Sequence, residues 1–124
     1  IRDRPSAMRT GHSRLRPDFV LGDRFGTSCA STLTDAAALC LRDLGYTVCR
    51  NKPYAGGFIT EHYGRPSRGL HALQIEINRA LYMDEQSLEL HDGFERLRSD
   101  ISCLIGELIR SSGITPLATP IAAE

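Results

Sequence analysis

The stretch LHALQIEINRALYMD, residues 70–84, decides how the fold is read. Leu73, Ile75 and Ile77 alternate with Gln74, Glu76 and Asn78, the two-residue period of a β-strand whose faces meet different surroundings. Glu76 thus stands mid-strand on the face opposite the isoleucines. Asn78 and Arg79 leave the strand at its end, where open α/β sheets carry their ligand sites. Two readings fit this pattern: an edge strand with one wet face, or a strand that offers a carboxylate to a ligand.

Upstream, Phe19-Val20-Leu21 is a short apolar run closed by Gly22 and reads as a buried strand. Residues 23–28 form a loop before a helix that starts at Ser31 or Thr32; with Thr32 as N-cap, Asp35 takes the third helical position as the acidic variant of a capping box. Ala36, Leu39, Cys40 and Leu44 continue at helical spacing, and Gly45 stops the helix in a left-handed cap. Residues 46–50 are β-rich, and the strand–helix–strand order predicts a right-handed crossover with parallel pairing. Asn51-Lys52-Pro53-Tyr54-Ala55-Gly56-Gly57 follows, and its Gly-Gly pair either makes a turn or lets a backbone approach a ligand closely. Residues 58–63 read as a short helix stopped by Gly64 and Pro66.

Downstream, a polar turn at 84–87 precedes Phe94, Leu97, Ile101, Leu104, Ile105 and Leu108, whose spacing predicts a long amphipathic helix over one face of the sheet. Gly113 ends it. The expected organisation is a mobile lead-in at 1–17, one α/β domain at 18–113 and a tail at 114–124.

The length suits one domain, and 41% hydrophobic with 24% charged residues is ordinary for a soluble globular protein. Fifteen basic against fifteen acidic residues leave no net charge to favour nucleic acid or an anionic membrane, although Arg2, Arg4, Arg9, Arg14 and Arg16 crowd the start. No apolar run approaches membrane-spanning length, and Ile1 is followed by charge rather than a signal-peptide core, so a cytoplasmic protein is expected. Cys40, Cys49 and Cys103 fit free, buried thiols, whereas Cys29 precedes a helix start, where the dipole lowers a thiol pKa. His12, His62, His71 and His91 make no His-x-His, His-x-x-Glu or His-Glu-x-x-His pattern. Asp23 and Arg24, at the end of the first strand, read as a pair that neutralise each other.

HALQIEINRALYMDE (71–85), with NKPYAGGFITEHYGRP (51–66), resembles the C-terminal half of the N-formylglutamate amidohydrolases, the likeness running from about Asp18 to about Gly113. The resemblance implies part of a three-layer α/β/α mixed sheet of the zinc carboxypeptidase and aspartoacylase kind. It also implies metal-assisted hydrolysis of N-formyl-L-glutamate to L-glutamate and formate, a step of histidine degradation, on an N-acyl amino acid substrate. Glu76 inherits the general-base role, and burial between Ile75 and Ile77 is expected to raise its pKa. Arg79 and Arg65 would hold substrate carboxylates, with Asn78 beside Arg79, Tyr54 as a pocket wall, Gly56 and Gly57 in a substrate loop, and His62 donating to the oxyanion.

Zinc belongs to the family, which draws its ligands from earlier segments ending in a His-Ser-Met-Pro-Ser type sequence. Pro5-Ser6 resembles its tail, but the ligand position falls on Arg2, and His12-Ser13 lies too close to Phe19 for that alignment. No metal ligand is assigned within this chain. Either the start is altered or the chain is a fragment, and the rival expectation is a catalytically silent binding or assembly module. A halved sheet leaves an edge or face uncovered, so a homo-oligomer, most simply a two-fold dimer, is expected.

Overall fold

The computed structural model describes residues 16–113. Most of the lead-in and the whole tail lie outside the described residues. In chain order the elements are β1 (Phe19–Gly22), α1 (Ser31–Asp43), β2 (Val48–Arg50), α2 (Phe58–Tyr63), β3 (Gln74–Ile77), β4 (Met83–Asp84), β5 (Glu89–Leu90) and α3 (Gly93–Ser111). Three strands form one mixed sheet in the order β2-β1-β3.

β1 and β2 run parallel, as the strand–helix–strand order predicts, with Phe19 opposite Val48 and Leu21 opposite Arg50. β3 runs antiparallel on the other side of β1, placing Ile77 beside Phe19, Ile75 beside Leu21, Glu76 beside Val20 and Gln74 beside Gly22. The register sorts the side chains by face. Phe19, Leu21, Val48, Ile75 and Ile77 share a core with Ala37, Ala38 and Leu41 of α1 and Leu97 and Leu104 of α3. The two long helices therefore cover the same side of the sheet, and Cys49 and Glu76 on the opposite side are exposed. The chain is a mixed α/β unit with two layers among the described residues, where the resemblance implies part of a three-layer arrangement.

Local chemistry explains the boundaries. Gly45 adopts φ +99° after α1, and Gly45 N–H donates to Arg42 O at 2.9 Å while Tyr46 N–H donates to Leu41 O at 3.0 Å. That is the paired closure of a Schellman motif, and the accompanying apolar contact is Tyr46 with Leu41 in the core. At the near end of the sheet, Asp18 N–H donates to Thr47 Oγ1 and Thr47 N–H donates to Asp18 Oδ2, both at 2.8 Å, fixing the start of β1 against β2.

Several expectations are corrected. The N-cap of α1 is Ala30, with no side-chain cap, so the Thr32–Asp35 capping box does not form; Asp35 instead accepts from Arg50 at 2.6 Å. Leu39 and Ile105 point outward, because the core-facing stripes run through Leu33, Ala37 and Leu41 on α1 and through Leu97 and Leu104 on α3. Cys49 and Cys103 are exposed and Cys40 half-buried, and only Cys29 is buried. Burial pushes the Cys29 thiol up, against the lowering expected from a helix start, and no reactive thiolate is built there. Among the described residues, no helix is long and apolar enough to cross a membrane.

Leu41 is fully buried between the helices and the sheet, whereas Leu39 is 62% exposed on the same helix. Leu41→Ala is expected to cost about 2–5 kcal/mol through lost burial and the cavity left behind. Leu39→Ala is expected to stay within about 0.5 kcal/mol of wild type. Urea-unfolding midpoints of the two variants check the assignment of faces.

Candidate functional site

Parallel β1 and β2 both end at the same edge of the sheet, the edge where α/β folds place ligands. Asp23 follows β1 and Asn51 follows β2, and the two lock together. Asn51 Nδ2 donates to Asp23 Oδ1 at 2.9 Å, while Asn51 Oδ1 accepts from the N–H groups of Asp23 (3.0 Å) and Phe25 (3.3 Å). Asp23 Oδ1 also accepts from Gly26 N–H at 2.9 Å, and Arg50 Nη2 lies 3.8 Å from the other carboxylate oxygen. The carboxyl is only 2% exposed. Burial alone would raise its pKa, but the bonds from Asn51 and Gly26 and the Arg50 charge outweigh that and hold it below the ordinary aspartate value.

Asp23 therefore does not neutralise Arg24, as the dipeptide suggests; it pairs with Arg50, and Arg24 Nη2 donates to Glu61 Oε2 at 3.1 Å. Arg24, Phe25 and Gly26 take φ values of +53°, +57° and +85°, three consecutive left-handed residues of which two carry bulky side chains. Such backbone costs about 1–3 kcal/mol per non-glycine residue and persists only where the surroundings over-determine it. Here Asp23, Asn51 and the Arg24 N–H bond to Ala55 O at 2.8 Å supply that constraint.

The Gly-Gly loop passes close by. A Cβ at Gly22 would lie 2.6 Å from the Ala55 carbonyl carbon and 2.7 Å from Gly56 N, so the end of β1 and this loop touch backbone to backbone. Gly56, at φ +115°, would drive a side chain into Thr60 Oγ1, which itself accepts from Gly57 N–H at 2.9 Å. The loop backbone at Ala55 and Gly56 is thus packed against the chain's own strand end, a contact that neither sequence reading of the Gly-Gly pair named. Beyond the loop, Arg65 Nη1 donates to Gly64 O at 2.7 Å and Glu61 O at 3.1 Å. Arg24, Phe25, Thr27, Thr60, Glu61 and Arg65 line a cavity of about 600 Å³.

Glu76 sits mid-strand as read from the sequence, but it is exposed on the face away from the two long helices rather than buried between the isoleucines, because its neighbours point to the other side. Gln74 Nε2 donates to Glu76 Oε1 at 3.0 Å, and Gln74 Oε1 lies 3.8 Å from where a Gly57 side chain would begin. Since β3 is antiparallel, Asn78 and Arg79 fall at the opposite end of β1 from Arg65, Gly56 and Gly57. Asn78 Oδ1 caps the turn Arg79–Leu81 by accepting from Ala80 N–H at 3.0 Å, and Arg79 lies 3.4 Å from Glu85. His62 stacks on Phe58 with ring centroids 4.9 Å apart, and Tyr54 is exposed.

Among the described residues, no group of three His, Cys, Asp or Glu side chains converges as a metal site requires. His71 Nδ1 accepts from Ala30 N–H, and the two ring nitrogens of His91 meet Ala80 O and Gly93 N–H. Among the described residues, no donor set fits a catalytic zinc. Sequence reading missed Gln74 and the Asp23–Asn51 lock; the available signal was an Asx residue immediately after each of two parallel strands.

Asn51→Ala strips Asp23 of its side-chain donor and releases two backbone N–H groups. A loss of about 1–3 kcal/mol is expected at neutral pH. The wild-type Asp23 contribution is fully present above the ordinary aspartate pKa of about 3.8 and is lost as pH falls through the lower folded-state value. Urea unfolding between pH 6 and pH 3 is expected to show a shallower acid loss in Asn51→Ala than in wild type.

With this geometry in hand, comparison with known proteins is direct. A family model described as N-formylglutamate amidohydrolase matches residues 2–83. The N-formylglutamate deformylase of Pseudomonas aeruginosa is 43% identical over 72 residues, covering 57% of this chain and 27% of that protein. Its counterpart in Pseudomonas putida is 40% identical over 70 residues, covering 56% and 26%. The crystal structure of N-formylglutamate amidohydrolase from Ralstonia eutropha JMP134 superposes with a TM-score of 0.70 at 45% identity, covering 77% of this chain and 34% of that one. The chain thus spans about a quarter to a third of the length of these relatives. With the family model spanning well over half of its residues, the chain belongs to the N-formylglutamate amidohydrolase family.

Proposed function

We propose that this chain carries the general-base and substrate-holding part of an enzyme that hydrolyses N-formyl-L-glutamate to L-glutamate and formate. The observation that carries the reading is Glu76: an exposed carboxylate held mid-strand on the sheet face away from the two long helices, with one oxygen engaged by Gln74. The relatives' names supply the reaction, and the side chains present suit it.

In this reading Glu76 takes a proton from the attacking water as the water oxygen bonds to the formyl carbon. The tetrahedral carbon then expels the amine, which receives that proton, leaving formate and the free amino acid. Gln74 fixes the carboxylate's orientation. Arg65 holds a substrate carboxylate, the loop at Gly56 and Gly57 flanks the substrate, Tyr54 walls it and His62 donates to the oxyanion, while Arg79 and Asn78, at the other end of β1, stand apart from these groups. Zinc, implied by the family, finds no ligand set among the described residues, so this reading places it outside them. A cytoplasmic step of histidine degradation fits the substrate and product. β2 and β3 are the outer strands of the sheet, which supports pairing with a second copy.

The relatives' names do not favour the rival reading, a catalytically silent module. Metal analysis of purified protein separates the two, since stoichiometric zinc speaks against silence. Formate release from N-formyl-L-glutamate tests the mechanism: Glu76→Gln is expected to lower turnover by roughly 10²–10⁴-fold. Unchanged turnover would remove Glu76 from the reaction.

A further inference from the structure

Resting on that reading but on a residue it leaves without a role, we infer that Arg24, aimed by the left-handed turn at residues 24–26, joins Arg65 in a subsite for a single carboxylate of an acidic substrate. Arg24 thereby sets the preference for acidic over neutral N-acyl amino acids. The strain comes first. Arg24 and Phe25 occupy left-handed backbone that glycine or asparagine would adopt at lower cost, and Phe25 returns nothing to the core, being 69% exposed. What the strained turn achieves is presentation: it puts Arg24 and Phe25 on the wall of the cavity that Arg65 also lines.

The cavity, at about 600 Å³, is in the range that takes a small molecule. Its donors are only partly used. Arg24 gives one N–H to Glu61, and Arg65 gives Nη1 to the carbonyls of Glu61 and Gly64. The remaining N–H groups of both guanidiniums have no protein partner among the described residues. Glu61 links the two, its carboxylate orienting Arg24 and its carbonyl anchoring Arg65. Two guanidiniums against one carboxylate leave a single positive charge, which matches one anionic group and not two. Phe25 supplies an apolar surface for the methylenes leading to that group. Arg24 is thus a specificity residue, and Asp23 and Asn51 position it.

Glutarate, which has the two carboxylates but no amide to cleave, isolates this subsite from the reaction. In amide NMR of the whole chain, glutarate is expected to shift Thr27, Glu61 and Arg65, while neutral glutaramide leaves them in place. Arg24→Gln is expected to weaken glutarate binding by about tenfold, with Arg24→Lys intermediate because it keeps the charge and loses the fork. Both side chains are solvent-accessible, so unchanged spectra of the core verify folding. In turnover, Arg24→Gln is expected to raise KM for N-formyl-L-glutamate and leave N-formyl-L-glutamine unaffected. Glutarate binding that is absent, unaltered in Arg24→Gln, or mapped instead to residues 78–85 overturns the subsite even if deformylation stands. Glutarate binding as described without deformylation upholds the subsite and removes only the reaction.

Discussion

A carboxylate removed from water must be met by donors or it will not stay ionised, and Asp23, one of three buried aspartates with Asp18 and Asp100, meets that condition where β1 ends. Its partners come from three directions: Asn51 after β2, Gly26 in its own turn, and Arg50 at the end of β2. The chain around the edge where β1 and β2 end takes its position from this lock. It joins the ends of the two parallel strands, holds residues 24–26 in left-handed backbone, and lets the Arg24 N–H reach Ala55 in the glycine loop. That loop leads to Thr60, Glu61 and Arg65, so a single buried charge fixes both walls of the cavity.

The sheet makes a second division. With both long helices on one side, the opposite side keeps Glu76 and Cys49 exposed, and the Gln74 amide points along the strand to the Glu76 carboxylate. An acid that works on a bound water benefits from a fixed orientation and an accessible oxygen, and this strand provides both without burying the group. The antiparallel direction of β3 has the further effect of separating the guanidinium of Arg79 from the edge where Arg24 and Arg65 meet. Glu76 lies within the strand between these two regions.

Much of this was legible in the residues. Alternation marked β3, Gly45 marked the end of α1, and the strand–helix–strand order gave the parallel pair, because each rests on a local rule. Face assignment was less accessible: Leu39 and Ile105 fit a helical stripe by spacing, yet the width and tilt of that stripe are set by which helix lies opposite. The Asp23–Asn51 lock joins positions 28 residues apart. No periodicity reports such a contact, and the adjacent Asp23-Arg24 dipeptide suggested a local pair that register forbids. The direction of β3 likewise depends on tertiary pairing, so a strand-end argument put Arg79 at an edge that the topology does not share with Arg65.

The central claim is that the buried Asp23 carboxylate organises the edge of the sheet where β1 and β2 end, and direct titration of its side-chain carbon by NMR tests it. The account predicts a midpoint below about 3.8, with the amide signals of Gly26, Phe25 and Ser28 moving in step with the carboxyl. An ordinary midpoint, or amides that ignore the titration, would contradict it.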